Sequence, residues 1–290
     1  MTTAILLDDR GVIELAGEDA GQFLHNLVTN DIAALKAGEA RFAALLTPQG
    51  KILFDFLVFA VGDGRYLLDC PLVLAADLQK RLNIYKLRSK LSVTNRSDEL
   101  EAIAFPDATE PPQVEAVAVA ADPRGPLGFR AIAEKGKIPT KDARKDYEAR
   151  RIHAGVPLGG VDFDYGGTFP HEANMDLLSG LDFKKGCYVG QEVVSRMKHR
   201  GLVRRRIAPY RAQGEAPPPG QAIHIGDVEV GVTGSRLADE GLALVRLDRL
   251  AEAKEKGQSP VAAGVALEFE AEKAPPSPKR PEGAKARRLI

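Results

Sequence analysis

The sequence predicts an α+β protein whose C-terminal part is a small antiparallel β-barrel or sandwich. Three observations predict it. Strand-like runs between residues 40 and 70 are broken by tight turn residues, as in antiparallel hairpins. Two stretches, 18–35 and 73–90, repeat apolar residues at helical spacing. Beyond Gly201 strand signals return with turn residues at short intervals. A chain of 290 residues, 44% hydrophobic and 28% charged, has globular composition and length for two or three domains.

Taken in order, "AILLDDRGVIELAG" reads as two short strands around a turn at Asp9-Arg10-Gly11. In "EDAGQFLHNLVTNDIAAL" the residues Phe23, Leu24, Leu27 and Val28 share a helical face, and Glu18 and Asp19 suit the positive end of the helix dipole. Pro48-Gln49-Gly50 and Gly62-Asp63-Gly64 separate the next strands. In "VLAADLQKRLNIYKLRSK" Leu74, Leu78, Leu82 and Tyr85 line one face of an amphipathic helix, and "LSVTNRS" begins another strand. An Ala/Pro-rich section with short strands follows, from about Leu100 to Lys141, then a charged helix over Lys141–Ile152. Residues 155–183 are Gly-rich with little regular structure, and loops of that length inside a compact domain are usually functional. The final stretch is rich in Pro, Lys and Arg and reads as a disordered tail.

Formal net charge is zero, so no global field draws the chain to nucleic acid or to an acidic membrane. The run Arg204-Arg205-Arg206 lacks interleaved aromatics and reads as a solvated face. No apolar run approaches the ~20 residues of a membrane span. Two cysteines make no disulfide framework, no His or Cys pair has metal-ligand spacing, and no metal site is expected. The start of the chain has neither a signal-peptide pattern nor a transit-peptide bias, which predicts a cytoplasmic protein.

Cys70 lies in the apolar run "RYLLDCPLVL" and reads as a small buried hydrophobe. Cys187 is different. It stands in "KKGCYVGQEVVSRMKHR", where a helical pattern starts near Gly190, with Val193, Val194 and Met197 on one face and Gly201 just past the end. That places Cys187 before a helix N-terminus, whose partial positive charge favours a thiolate, and Lys184 and Lys185 add to it. The same pattern also fits a strand-to-helix turn whose cysteine merely packs.

The octapeptide Lys185-Gly186-Cys187-Tyr188-Val189-Gly190-Gln191-Glu192 resembles the signature of the YgfZ family. Those are folate-binding iron–sulfur maturation proteins, related to the aminomethyltransferase (T-protein) of the glycine cleavage system. "GEDAGQFLHNLVTNDI", "LTPQGKILFDFLVF", "ARRIHAGVPLGG" and "FPHEANMDLL" also resemble family segments, so the likeness covers roughly residues 5 to 250. It implies a ring of three domains around a central tetrahydrofolate site. The first domain would be discontinuous, 1–48 with 142–200, carrying the signature. The second would be 49–141 and the third a β-barrel over 201–272, leaving 273–290 as the tail.

The resemblance also implies a role. Such proteins support assembly or repair of 4Fe–4S clusters, including those of enzymes that thiolate transfer RNA, and Cys187 is the residue that role is tied to. It would act in transient contact with an iron–sulfur cluster on client or assembly proteins rather than by enzymatic turnover. For tetrahydrofolate or a derivative, Glu172 matches the acidic position that binds the pterin in the T-protein. Tyr188 is a stacking candidate, and Arg151 and Arg196, with Arg150, are candidates for the anionic tail. Solvated loops, core packing and helix-surface salt bridges explain the same residues. The alternative function is a folate-dependent aminomethyltransferase or demethylase, for which no aspartate in a matching motif can be placed. His153 and His171 are the histidines to examine as acid–base groups.

Overall fold

The computed structural model describes residues 3–201 and 203–269. The chain opens with β1 (Ile5–Leu6), β2 (Arg10–Ala16), α1 (Ala20–Leu27), β3 (Ala40–Leu46), β4 (Ile52–Gly62) and β5 (Arg65–Pro71). A 3-10 turn (Leu72–Leu74) leads into α2 (Ala75–Lys86), then β6 (Ser92–Asn95), β7 (Leu100–Phe105), β8 (Ala118–Ala121) and β9 (Phe129–Glu134). After α3 (Arg144–His153), a stretch without helix or strand runs to α4 (Gln191–Arg200). The last part holds β10 (Arg205–Ala212), β11 (Ala222–Ile225), β12 (Val228–Leu237), β13 (Glu240–Arg246), α5 (Leu247–Glu255), β14 (Val261–Ala262) and β15 (Val265–Phe269).

These strands form three antiparallel sheets. One has the order β3-β4-β5-β2-β6, a second β1-β7-β9-β8, and the third is a closed barrel, β10-β13-β12-β11-β14-β15. The α+β class and the C-terminal barrel therefore hold. Helices α1 and α2 cover one face of the five-stranded sheet, where Phe23, Leu24, Leu78 and Leu82 meet Ile13, Phe56 and Leu68. The opposite face enters a central core with Tyr147 and Ile152 of α3, Tyr188 and Val194.

The strands grouped by hydrogen bonding differ from the expected domain limits. The boundary at 48/49 falls in the β3–β4 hairpin of one sheet, and β2 pairs with β5 across it. The two strands flanking Asp9 do not pair with each other: β1 joins β7 and β2 joins β5 and β6, so the chain passes between sheets at that turn. Helix α1 is shorter than its apolar pattern, because Val28 is extended and the next two side chains bind backbone elsewhere. Thr29 Oγ1 donates to Gly180 O at 2.7 Å and Asn30 Nδ2 to Phe42 O at 2.8 Å, which competes with helix. Helix α5 was not expected within the strand-rich end. The stretch 273–290 lies outside the described residues.

Candidate functional site

Cys187 is exposed, on the loop that enters α4, and Cys70 is buried. Two glycines set that entry. Gly190 caps α4 at φ +82°, and a Cβ there would lie 2.6 Å from Thr47 O. A Cβ on Gly50, at φ +80°, would lie 3.0 Å from Val193 Cβ. The β3–β4 turn thus packs its backbone directly on the helix start, and only glycine permits that approach. Tyr188 N–H donates to Gln191 Oε1 at 3.3 Å and Gln191 N–H to Tyr188 O at 3.2 Å, closing the first turn.

The other side of the loop is pinned to α1. Asp182 Oδ1 accepts the N–H groups of Lys184 and Lys185, at 2.6 and 3.1 Å. Lys185 Nζ donates to the carbonyls of Val28 (2.6 Å), Asn30 (3.0 Å) and His25. Those oxygens lie in and just beyond the last turn of α1, where carbonyls lack helical partners. Burial lowers the Lys185 ammonium to about 8, against the pull of Asp31 and Asp182. All three of its donors are engaged, so this lysine is a helix cap rather than the reserve of charge beside the thiol that the sequence suggested.

The residues expected to hold folate are placed as follows. Glu172 is 6% exposed. Its Oε2 accepts Phe169 N–H at 2.9 Å and its Oε1 accepts Arg205 Nη2 of β10 at 2.8 Å. Arg151 is buried, bonded to Glu148, Asp162, Val156 O and Ser235 Oγ. Tyr188 is 8% exposed in the central core, with its phenol pushed up to about 12 by burial. Arg196 is on the surface and pairs with Glu192. Glu172, expected at the pterin, Tyr188, expected to stack, and Arg151, expected at the anionic tail, are each engaged with partners or packing inside the protein.

A buried polar network joins the sheets. Arg130 of β9, 1% exposed, donates to Asp69 Oδ2 (2.6 Å), Asp122 Oδ2 (3.2 Å) and the Tyr147 hydroxyl (2.7 Å), while its Nε has no partner. Arg10 holds the other oxygen of Asp69 at 2.5 Å, Arg124 chelates Asp122, and Arg144 takes Asp9 bidentately. The cavity these arginines line measures about 20 Å³, room for roughly one water. Sequence reasoning missed this network; the available signal was a charge at an inward position within an apolar strand, as in "LLDC" and "GFRAIAE". His171 is buried with both ring nitrogens unpartnered, and burial lowers its pKa, so it is neutral near pH 7. His153 is exposed, with Nδ1 3.9 Å from Glu240.

Comparison with known proteins assigns the chain. Residues 6–109 match the GCVT N-terminal domain and residues 204–283 the CAF17 C-terminal beta-barrel domain. The iron-sulfur cluster assembly factor IBA57, mitochondrial, of Mus musculus is 31% identical over 75% of this chain and 68% of its own length. The Homo sapiens protein of the same name is 32% identical over 74% and 67%. This chain belongs to the CAF17/IBA57 family. The homolog from Mycosarcoma maydis is 33% identical over 74% of this chain, which spans only 58% of that relative's length. The aminomethyltransferase T of the glycine cleavage system from Bartonella henselae shares the fold, with TM-score 0.70 and 18% identity over 93% of this chain and 85% of its own.

The YgfZ resemblance therefore stands at the level of the wider CAF17/IBA57 family with its T-protein-like fold. One expectation is overturned. The chain was read as cytoplasmic, but these IBA57 relatives are named as mitochondrial proteins. Composition near the start of a chain was a poor guide to compartment.

Proposed function

We propose that this CAF17/IBA57-family chain supports the assembly of iron–sulfur clusters by presenting the thiol of Cys187 to a cluster carried by a partner protein. The observation that carries the proposal is the contrast between two thiols: Cys187 is exposed on a loop anchored at both ends, and Cys70 is sealed in a strand. The names of the relatives, iron-sulfur cluster assembly factors, support the reading. Thiolates are the ligands iron–sulfur clusters take, four per 4Fe–4S cluster. One exposed thiol supplies one, so the partner supplies the rest. On ligation one S–Fe bond forms as an Fe–thiolate bond of the cargo breaks, and the Cys187 S–H proton goes to the displaced thiolate, which leaves as a free thiol.

The proposal rests on the thiol alone and assigns no step to tetrahydrofolate. No observation favours the aminomethyltransferase alternative.

The test is maturation of a purified apo-enzyme that needs a 4Fe–4S cluster, with cluster-supplying assembly proteins and the full chain. Cys187→Ser is expected to reduce the chain's acceleration of client activation at least tenfold, with the fold unchanged by circular dichroism. A Cys187→Ser chain that matures the client at the wild-type rate would overturn the reading.

A further inference from the structure

The inner face of α2 presents Ala75, Leu78 and Leu82 to the core beneath it. The outer face is unlike ordinary surface. Val73 is 88% exposed, Ile84 58% and Leu87 87%. Ile84 lies on α2 itself, Leu87 is its C-cap residue and Val73 lies in the 3-10 turn that precedes it, so the exposed aliphatic side chains stand on the helix and at its two ends. Of nine exposed large aliphatic side chains among the described residues, four fall between positions 72 and 87, so the apolar exposure is concentrated here. Lys80 and Arg81 stand on α2 and Arg88 just beyond its end, and none of the three has an ion-pair partner among the described residues.

Leu87 adds a second observation. Its φ is +46°, at the position just past a helix where glycine is the low-energy choice. A leucine there strains the backbone while its side chain gains nothing from water. Contact with another molecule would offset both.

The chemistry of the face selects the occupant. Unpaired cations beside aliphatic side chains fit a groove with an apolar floor and a carboxylate rim. A second copy would set cation against cation. A bilayer is disfavoured because the face carries no exposed aromatic anchor, and Tyr85 packs against the core. Position matters as well. Asp19 Oδ2, at the start of α1, accepts Lys90 N–H at 2.7 Å, and Glu18 pairs with Lys90 at 2.5 Å. Lys185 of the thiol loop caps the other end of α1, whose eight residues span about 12 Å. The thiol loop and the segment just past α2 are thus tied to opposite ends of one short helix.

We infer that the outer face of α2 docks an acidic protein that brings the remaining cluster ligands to Cys187. This rests on the role proposed above for Cys187.

The test titrates the full chain into the same maturation assay, with the cluster-supplying assembly proteins as the probe. Lys80→Glu with Arg88→Glu is expected to raise the half-saturating concentration about tenfold at low salt, less at high salt, with the saturated rate unchanged. Leu87→Gly is expected to raise the urea midpoint, because glycine relieves the strained φ, and also to raise the half-saturating concentration. A residue with only a structural role would not move those two in that combination. Cys187→Ser instead lowers the saturated rate at every concentration, so failure of the thiol reading and failure of this one are separable. Wild-type half-saturation in both α2 variants overturns the inference. So does binding to phosphatidylserine–phosphatidylcholine vesicles, or a dimer of the chain, that the same variants abolish. A wild-type chain that accelerates nothing overturns both readings.

Discussion

Cys70 sits in β5 with its sulfur 3.7 Å from the carbonyl oxygen of Gly11, and burial pushes its thiol up to about 12. Cys187 has no such enclosure. Since the thiolate is the reactive form and must be reached, the two should separate cleanly by reagent. A disulfide reagent such as DTNB is expected to titrate one thiol per chain in native buffer and two in denaturant, and Cys187→Ser should remove the native one. A native count of two, or of none, would contradict the burial described here. At this scale the sequence was legible where function needs exposure and opaque where charge is buried. The glycines around Cys187 and the cations at the end of α4 could be read directly. The roles of Glu172 and Arg151 could not, because their partners Arg205, Asp162 and Ser235 lie between 11 and 84 residues away in the chain. Spacing alone cannot distinguish a carboxylate awaiting a ligand from one already paired.

Among the elements, α4 and its approach give the sharpest expectation. Two glycines of the octapeptide have opposite surroundings. Alanine at 190 would place a methyl group 2.6 Å from Thr47 O at a positive φ, whereas alanine at 186 would meet nothing within 4 Å. Gly190→Ala is therefore expected to cost about 2–4 kcal/mol in urea unfolding. Gly186→Ala should stay within about 0.5 kcal/mol of wild type. Equal effects would mean that the β3–β4 turn does not rest on α4. Helix α2 was legible from its apolar period, and α4 from its period together with Gly201 past its end, both in agreement with tertiary need. The early end of α1 was not, since Thr29 and Asn30 leave helix for carbonyls of Gly180, Ser179 and Phe42. Nor was the divergence of β1 and β2, which depends on which distant edges are available to pair.

Across the whole molecule, ion pairs tie the two open sheets and the barrel together. Arg206 of β10 holds Asp176 with two bonds of 2.8 Å, Arg205 holds Glu172, and Arg151 with Ser235 holds Asp162, so the irregular segment between α3 and α4 fastens the barrel to the body. The family resemblance supplied the T-protein-like fold with its C-terminal barrel; turn spacing alone supplied only a strand-rich end. Where the sheets meet, the buried network carries its own liability. Burial works against ionisation of Asp122, but Arg124 and Arg130 outweigh it and hold the carboxyl well below its ordinary range. Asp9 is held low in the same way, mainly by Arg144. A carboxyl depressed in the folded state stabilises it above the unfolded value near 3.8 and loses that contribution as pH falls through the folded value. The urea midpoint is therefore expected to be flat from pH 7 to about 5 and to fall steadily below about 4. Asp122→Asn keeps the shape but leaves two buried guanidinium groups short of charge, which should cost about 3–5 kcal/mol at pH 7. Because the variant has already lost the depressed carboxyl, its midpoint should also decline less between pH 4 and pH 2, an interval where the two proteins converge. Parallel curves for Asp122→Asn and wild type would show that the acid sensitivity arises outside this network.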